Sequence, residues 1–343
     1  MTVSKRKQEH IDISLNEDIR FKCKTTGFEA YDWVHCALPE MDFNDVDPST
    51  IFLDKTISFP LMISPMTGGF DGAMEINRDL AEVCQDLSLP LAVGSQRQIL
   101  ENDRHRKSFQ IVRKTAPDIA IIGNVGAAQI ARIRDIASIQ QMVDLIEADA
   151  LAVHLNPLQE LLQPEGNTDF SGVLEGIVTL VQKLSVPVIA KEIGCGISHE
   201  VATKLKEAGV KIIDIAGAGG TSWAGIETFR SGRSKLGGKF WDWGIPTSEA
   251  LTEVARIDGI TRIASGGIED GMTLAKALAL GADLCGSALP ILKAWTENRS
   301  TGVRTLIQAW KQELQMILFL TGCKDISALQ HKKPLVHLCQ TAG

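Results

Sequence analysis

Eight short apolar runs recur along the chain, at residues 61–64, 91–94, 119–123, 150–155, 187–191, 211–216, 261–264 and 282–286. Their lengths suit strands buried on both faces, as in a parallel sheet. Segments of helical spacing separate most of them. Ile76, Leu80, Val83 and Leu87 fall near one helical face, and residues 273–280 are rich in Ala and Leu, with Gly281 as a stop. Strands alternating with helices imply right-handed parallel crossovers, and eight such units fill the length of an α/β TIM (β/α)8 barrel.

The pattern divides one domain into three stretches. Residues 1–59 precede the first strand as an extension whose Pro39, Pro48 and polar run 42–49 read as loop. Residues 60–290 hold the barrel. Residues 291–343 form a C-terminal segment in which 303–320 has helical spacing. Within the barrel, residues 223–246 are rich in Gly, Trp and basic residues and are expected to be an irregular insert. Such long loops at the C-terminal ends of strands are where barrels place their chemistry.

Those strand ends are polar or small almost without exception. They read Met66-Thr67-Gly68-Gly69, Gly94-Ser95-Gln96-Arg97, Asn124-Val125-Gly126, and His154-Leu155-Asn156 with Gln159 and Glu160. Lys191-Glu192, Gly217-Ala218-Gly219-Gly220-Thr221, Ser265-Gly266-Gly267 and Gly286-Ser287-Ala288 follow. The last two motifs, with Ile268 between them, suit a phosphate: glycines let backbone N–H groups approach it, and a helix N-terminus adds partial positive charge. Strands seven and eight are where barrels commonly hold one.

Lys191, inside an apolar strand, needs an anionic partner. A reduced flavin is one such partner, and a structural pair with the neighbouring Glu192 is the bland alternative. His154, Asn156, Gln159 and Glu160 join one metal carboxylate to three neutral hydrogen-bonding groups. That set suits magnesium with a diphosphate, against the plainer reading of a capped loop.

Composition narrows the choices. With 44% apolar and 22% charged residues the chain reads as soluble and globular. Its formal charge of −7 disfavours general binding to nucleic acid or a membrane surface, so any anionic ligand needs local cations. The charged first residues lack a signal-peptide core, and no run approaches a membrane span. Seven scattered cysteines (Cys23, Cys36, Cys84, Cys195, Cys285, Cys323, Cys339) form no Cys-x-x-Cys pair, which points to a reducing cytoplasm. Arg6, Lys7 and His10 make a small basic cluster that, by itself, reads as solvated. Trp241 and Trp243 read as a loop cover or subunit contact.

In this order the motifs resemble the type 2 isopentenyl-diphosphate isomerases, FMN-dependent barrels, over nearly the whole chain. The matching strings include Arg6-Lys7-x-x-His10, Met66-Thr67-Gly68-Gly69, Lys191-Glu192-Ile193-Gly194, Gly219-Gly220-Thr221-Ser222-Trp223-Ala224, Trp243-Gly244-Ile245-Pro246-Thr247 and Ser265-Gly266-Gly267. The most diagnostic is His154-x-Asn156-x-x-Gln159-Glu160.

The resemblance implies FMN held by Met66, Thr67, Gly68, Ser95, Asn124 and Lys191 at the ring. Thr221, Gly266, Gly267, Ile268, Ser287 and Ala288 would take its ribityl chain and phosphate. It implies a substrate diphosphate met by Arg6, Lys7, His10, Ser95, Arg97, His154, Asn156 and Gln159, with Mg2+ on Glu160. The basic cluster then becomes a lid. FMN active when reduced, with NADPH as reductant, and a tetramer or octamer are implied too. Ala216 stands where many members place Ser, and residues 225–240 align poorly.

The implied reaction is a 1,3-allylic proton shift between isopentenyl and dimethylallyl diphosphate, without net redox change. The sequence offers no obvious pair of carboxylates in the barrel mouth and no nucleophile with a matching base. Reduced FMN is therefore the expected acid and base, with Gln159 and Trp223 shaping the site. Two rivals remain at this stage. A 2-hydroxy-acid dehydrogenase on the same barrel would need a histidine base near the sixth strand, which the sequence lacks. A non-catalytic flavin or phosphate sensor would have little use for His154, Gln159, Glu160 and Arg97 around one mouth.

Overall fold

The structure is a computed structural model that describes residues 3–100, 103–131, 135–232 and 234–338; Cys339 lies outside them. All eight apolar runs form strands: β1 (Leu61–Ile63), β2 (Leu91–Ala92), β3 (Ile121–Gly126), β4 (Ala150–Leu155), β5 (Val188–Glu192), β6 (Ile212–Asp214), β7 (Thr261–Ser265) and β8 (Leu284–Ser287). Each pairs in parallel with its neighbours in sequence, and β8 pairs with β1 to close a TIM barrel.

Alternation along the strands sorts the side chains into layers. Leu151, Val153, Val188, Ala190 and Ile213 face outward and join the core shared with the helices. Ile122, Ala152, Ile189, Ile212 and Ile263 point inward and fill the barrel. Two residues further along the same inward face come Asn124, His154, Lys191, Asp214 and Ser265. The apolar filling therefore ends in a polar floor, facing the C-terminal mouth. Ser64, Gly94 and Gly286 complete that layer after Met62, Ala92 and Leu284.

The extension is more structured than its polar run suggests. Helix Val3–Asn16 buries none of its residues, and the hairpin of Thr50–Phe52 with Lys55–Ile57 puts Phe52 and Ile57 into the barrel-interior cluster. Tyr31–Trp33 pairs antiparallel with Leu335–His337, so the C-terminal segment carries a strand besides its helices. Those helices are Leu289–Leu320, kinked at Asn298 and Arg299, and Ile326–Lys332.

The insert corrects another expectation. Rather than irregular, it holds helices Trp223–Ser231 and Ser234–Lys239. Ser222 caps the first by accepting Gly225 N–H at 3.0 Å. Trp241 is buried and donates to the Arg20 carbonyl at 2.8 Å, whereas Trp243 is exposed.

Candidate functional site

A cleft of about 1650 Å³, counting its mouth, lies above the polar floor and beneath helix Val3–Asn16. At its floor Lys191 and Asp214 face each other across adjacent strands, in register. Lys191 Nζ is 2.8 Å from Asp214 Oδ2 and donates to Ser265 Oγ at 3.2 Å. Ser265 Oγ in turn donates to Asp214 Oδ1 at 2.6 Å. The counter-charge of Lys191 is thus Asp214, not Glu192. Glu192 points to the other side of β5, where one carboxylate oxygen accepts the N–H groups of Ile193, Gly194 and Cys195. Its burial pushes its carboxyl up to about 7 despite those bonds.

One end of the cleft is built from glycine turns. Gly266 and Gly267 have φ of 97° and 75°, and a Cβ on them would stand 2.1 Å from the Gly217 carbonyl and 2.3 Å from Thr26 Cγ2. Only glycine fits there. Ser287 Oγ donates to the Ile268 carbonyl at 2.7 Å, pinning the two turns together. Ala288 then opens the Leu289–Leu320 helix, whose first-turn N–H groups have no partner within the helix. Ser64 Oγ is a buried hydroxyl without a hydrogen-bond partner on the same floor.

The other end gathers cations in an acidic protein. Arg6, Lys7 and Arg97 line it, with the imidazole of His154 beside them. Lys7 Nζ donates to the carbonyls of Gly68 (2.7 Å) and Ser95 (2.5 Å). Burial, then the charge of Arg97, lowers the Arg6 guanidinium from its ordinary value. His154 Nδ1–H donates to Asn124 Oδ1 at 2.7 Å. Burial first, then Lys191, Lys7 and Arg6, push its imidazole down to about 3, so it is neutral at pH 7.

Two glutamates at the mouth, Glu160 lining the cleft and Glu227 buried beside it, are held by neighbours and form no free acid–base pair. Glu160 accepts from Asn156 Nδ2 at 3.2 Å and from Asn167 N–H at 2.6 Å. Glu227 is fully buried, 2.9 Å from His10 Nε2 and 2.8 Å from Arg230 Nε. Burial would raise its carboxyl, but His10 and then Arg230 hold it below the ordinary value. Gln159 is held between Asn156 Nδ2 (2.9 Å) and Glu227 Oε1 (3.3 Å). Trp223 lies edge-on to His10, with ring centroids 5.2 Å apart.

Among the expected residues, Met66, Ser95, Asn124, Asn156, Gln159, Glu160, Thr221, Trp223 and those already placed at the two ends line this one cleft. Thr67 and Gly68 do not. The Thr67 hydroxyl turns to the Asn77 side chain, and Gly68 meets Lys7 through its carbonyl. Sequence reasoning missed Asp214, although its position two residues after Ile212 marked it as inward-facing. It also missed Glu227, four residues after Trp223 on the same helical face.

The donor sets suit two groups that the structure does not contain. The glycine cradle with the Ser64 hydroxyl fits a phosphate, and the Lys191 floor beside it fits the polar edge of a flavin. Glu160 and the buried, partnerless Asn156 Oδ1 are oxygen donors of the kind Mg2+ takes. Among the described residues no group of three or more His, Cys, Asp or Glu gathers as a metal cluster.

A curated isopentenyl-diphosphate delta-isomerase of Pelodictyon phaeoclathratiforme is 46% identical over 345 residues, covering 96% of each chain. The chain belongs to the isopentenyl-diphosphate delta-isomerase family. Family members from Nostoc sp. (45% identical, 97% of this chain and 96% of that one) and Pyrococcus furiosus (43%, 96% and 86%) agree. Residues 168–335 also match the family described as FMN-dependent dehydrogenase. Solved structures share the fold. A flavocytochrome b2 variant is 20% identical with a TM-score of 0.71, covering 100% of this chain and 86% of that one. A mandelate oxidase with benzoyl-formic acid is 16% identical with a TM-score of 0.66, covering 96% and 93%.

Proposed function

We propose that the cleft interconverts isopentenyl diphosphate and dimethylallyl diphosphate, a step of isoprenoid biosynthesis, using bound FMN. The observation that carries this reading is one cleft with a glycine cradle at one end and three cationic side chains at the other. The glycine turns at Gly266–Gly267 and Ser287–Ala288 would hold the FMN phosphate, and the cations Arg6, Lys7 and Arg97 the substrate diphosphate. Reduced FMN would supply the acid–base chemistry of the allylic shift.

The chain's own residues bind, orient and shield. His154, neutral and fixed by Asn124, can gain a proton as the diphosphate arrives. Asn156 and Glu160 would take Mg2+ on that diphosphate. Gln159, fixed at both ends of its amide, and Trp223 would hold the alkene, while Met66, Ile193 and Ile226 give the cleft an apolar wall against water.

In the same reading the chain works as one unit, with residues 1–59 as extension and lid, 60–290 as barrel and 291–343 as outer segment. NADPH would be the reductant and the cytoplasm the setting. Copies would associate as a tetramer or octamer through the insert, where Phe229, Leu236 and Trp243 are exposed. A 2-hydroxy-acid dehydrogenase is disfavoured because residues 214–221, after β6, contain no histidine.

The test is anaerobic assay of the purified yellow protein with isopentenyl diphosphate and Mg2+. No turnover is expected with oxidised flavin, and turnover after reduction by NADPH. Equal rates in both states would overturn the role of reduced flavin. Oxidation of a 2-hydroxy acid without isomerisation would overturn the function.

A further inference from the structure

The cation on the cleft floor is not a bare charge. Asp214 is wholly buried beneath it, 2.8 Å from Lys191 Nζ, and has two further donors on its other oxygen: Ser265 Oγ at 2.6 Å and Ala216 N–H at 3.3 Å. The three side chains come from consecutive strands β5, β6 and β7, so the barrel itself fixes their spacing. Lys191 and Ser265 line the cleft, whereas Asp214 does not. Asp214 therefore meets the cleft only through the Lys191 and Ser265 side chains above it.

We propose that Asp214 is a positioning residue that tempers the positive field of Lys191 on bound flavin and so sets its reduction potential. This rests on the FMN reading above. A cation beside the ring stabilises negative charge gained on reduction and raises the potential, and a buried counter-charge opposes it. Ser265 orients the carboxylate so that its second oxygen stays on the ammonium.

The experiment is a spectroelectrochemical titration of the FMN-loaded protein. Asp214→Asn is expected to shift the midpoint potential upward and Lys191→Gln downward. The double variant Lys191→Gln/Asp214→Asn should return close to native, since a second substitution does not repair structural damage. Asp214→Glu should restore part of the native value.

Asp214→Asn leaves a buried ammonium uncompensated and can fail to fold. The double variant, neutral at both positions, then supplies the comparison, and a potential above that of Lys191→Gln alone supports the inference. A potential that is unchanged or lowered in Asp214→Asn overturns it, as does a double variant no higher than Lys191→Gln. If the native protein binds no flavin, the FMN reading itself fails, which is a separate result.

Discussion

Lys191 and Glu192 are neighbours on β5 with opposite surroundings, because successive strand residues face opposite sides. Lys191 has a buried counter-charge in contact, whereas Glu192 has three backbone N–H groups and only the more distant charge of Lys191, and burial raises its carboxyl from 4.5 to about 7. The native state therefore holds a proton that the unfolded chain has already released between those values. Glu192 contributes most to stability below pH 4.5, and that contribution falls as pH rises through about 7. The full swing is up to about 3 kcal/mol, at 1.36 kcal/mol per pH unit. All three N–H groups converge on one oxygen, Oε2, so a glutamine carbonyl can keep them. Glu192→Gln should thus gain stability relative to wild type as pH rises from 5 to 8. Thermal melts across that range check this, and a constant difference would show that Glu192 does not titrate there. Residues of this kind were legible only in part. Alternation marked Lys191 as inward, but the choice between Glu192 and Asp214 as its partner needed the register of β5 against β6.

At the scale of elements, the N-terminal helix Val3–Asn16 has no buried residue of its own to hold it. Ile11 and Leu15 pack part-buried against the core, and polar contacts add to them: Lys7 to the Gly68 and Ser95 carbonyls, His10 to Glu227, and Ser4 Oγ to His105 Nε2 at 3.3 Å. That is why its basic cluster read as solvated from the residues alone. In the proposed reading the helix belongs to the diphosphate end, since its Arg6, Lys7 and His10 line the cleft and none of them is assigned to FMN. Lys7→Ala should therefore raise the KM for isopentenyl diphosphate at least tenfold and leave the FMN content unchanged. One lost charge-assisted hydrogen bond, about 1.5–3 kcal/mol, is enough for that. Steady-state kinetics with flavin absorbance per chain decide it, and an unchanged KM would take the helix out of substrate binding. The insert was misread for a different reason. Its glycines looked like breakers, but a Cβ on Gly225 would lie 2.7 Å from Trp241, and one on Gly237 1.9 Å from Thr228 Oγ1. They let helices pack closely, a role that local pattern does not distinguish from a turn.

For the molecule as a whole, the barrel was legible because each strand is a local apolar run, and the polar ring at its mouth follows from period two. What seals the other end was not, since it depends on a pairing outside the barrel. The hairpin Thr50–Phe52/Lys55–Ile57 is short, and its alternation is too brief to stand out from the loops around it. Yet Phe52 and Ile57, 5% and 2% exposed, belong to the same cluster as Ala120, Ala150 and Ile212 inside the barrel, while Ile51 is 72% exposed. The hairpin is thus a plug whose alternate residues face the core and solvent. A plug stabilises without touching the site, because the apolar layer of Ile122, Ala152 and Ile189 lies between it and the polar floor. Removing the Phe52 ring leaves a cavity that a closed barrel cannot collapse, at a cost of about 3–5 kcal/mol. Ile51→Ala on the outer face should change stability by less than about 0.5 kcal/mol. Urea unfolding of the two FMN-loaded variants measures both, with KM at 25 °C unchanged in each. A Phe52→Ala protein as stable as Ile51→Ala would mean that the hairpin does not seal the barrel. A raised KM would mean that the two ends of the barrel are coupled through its core.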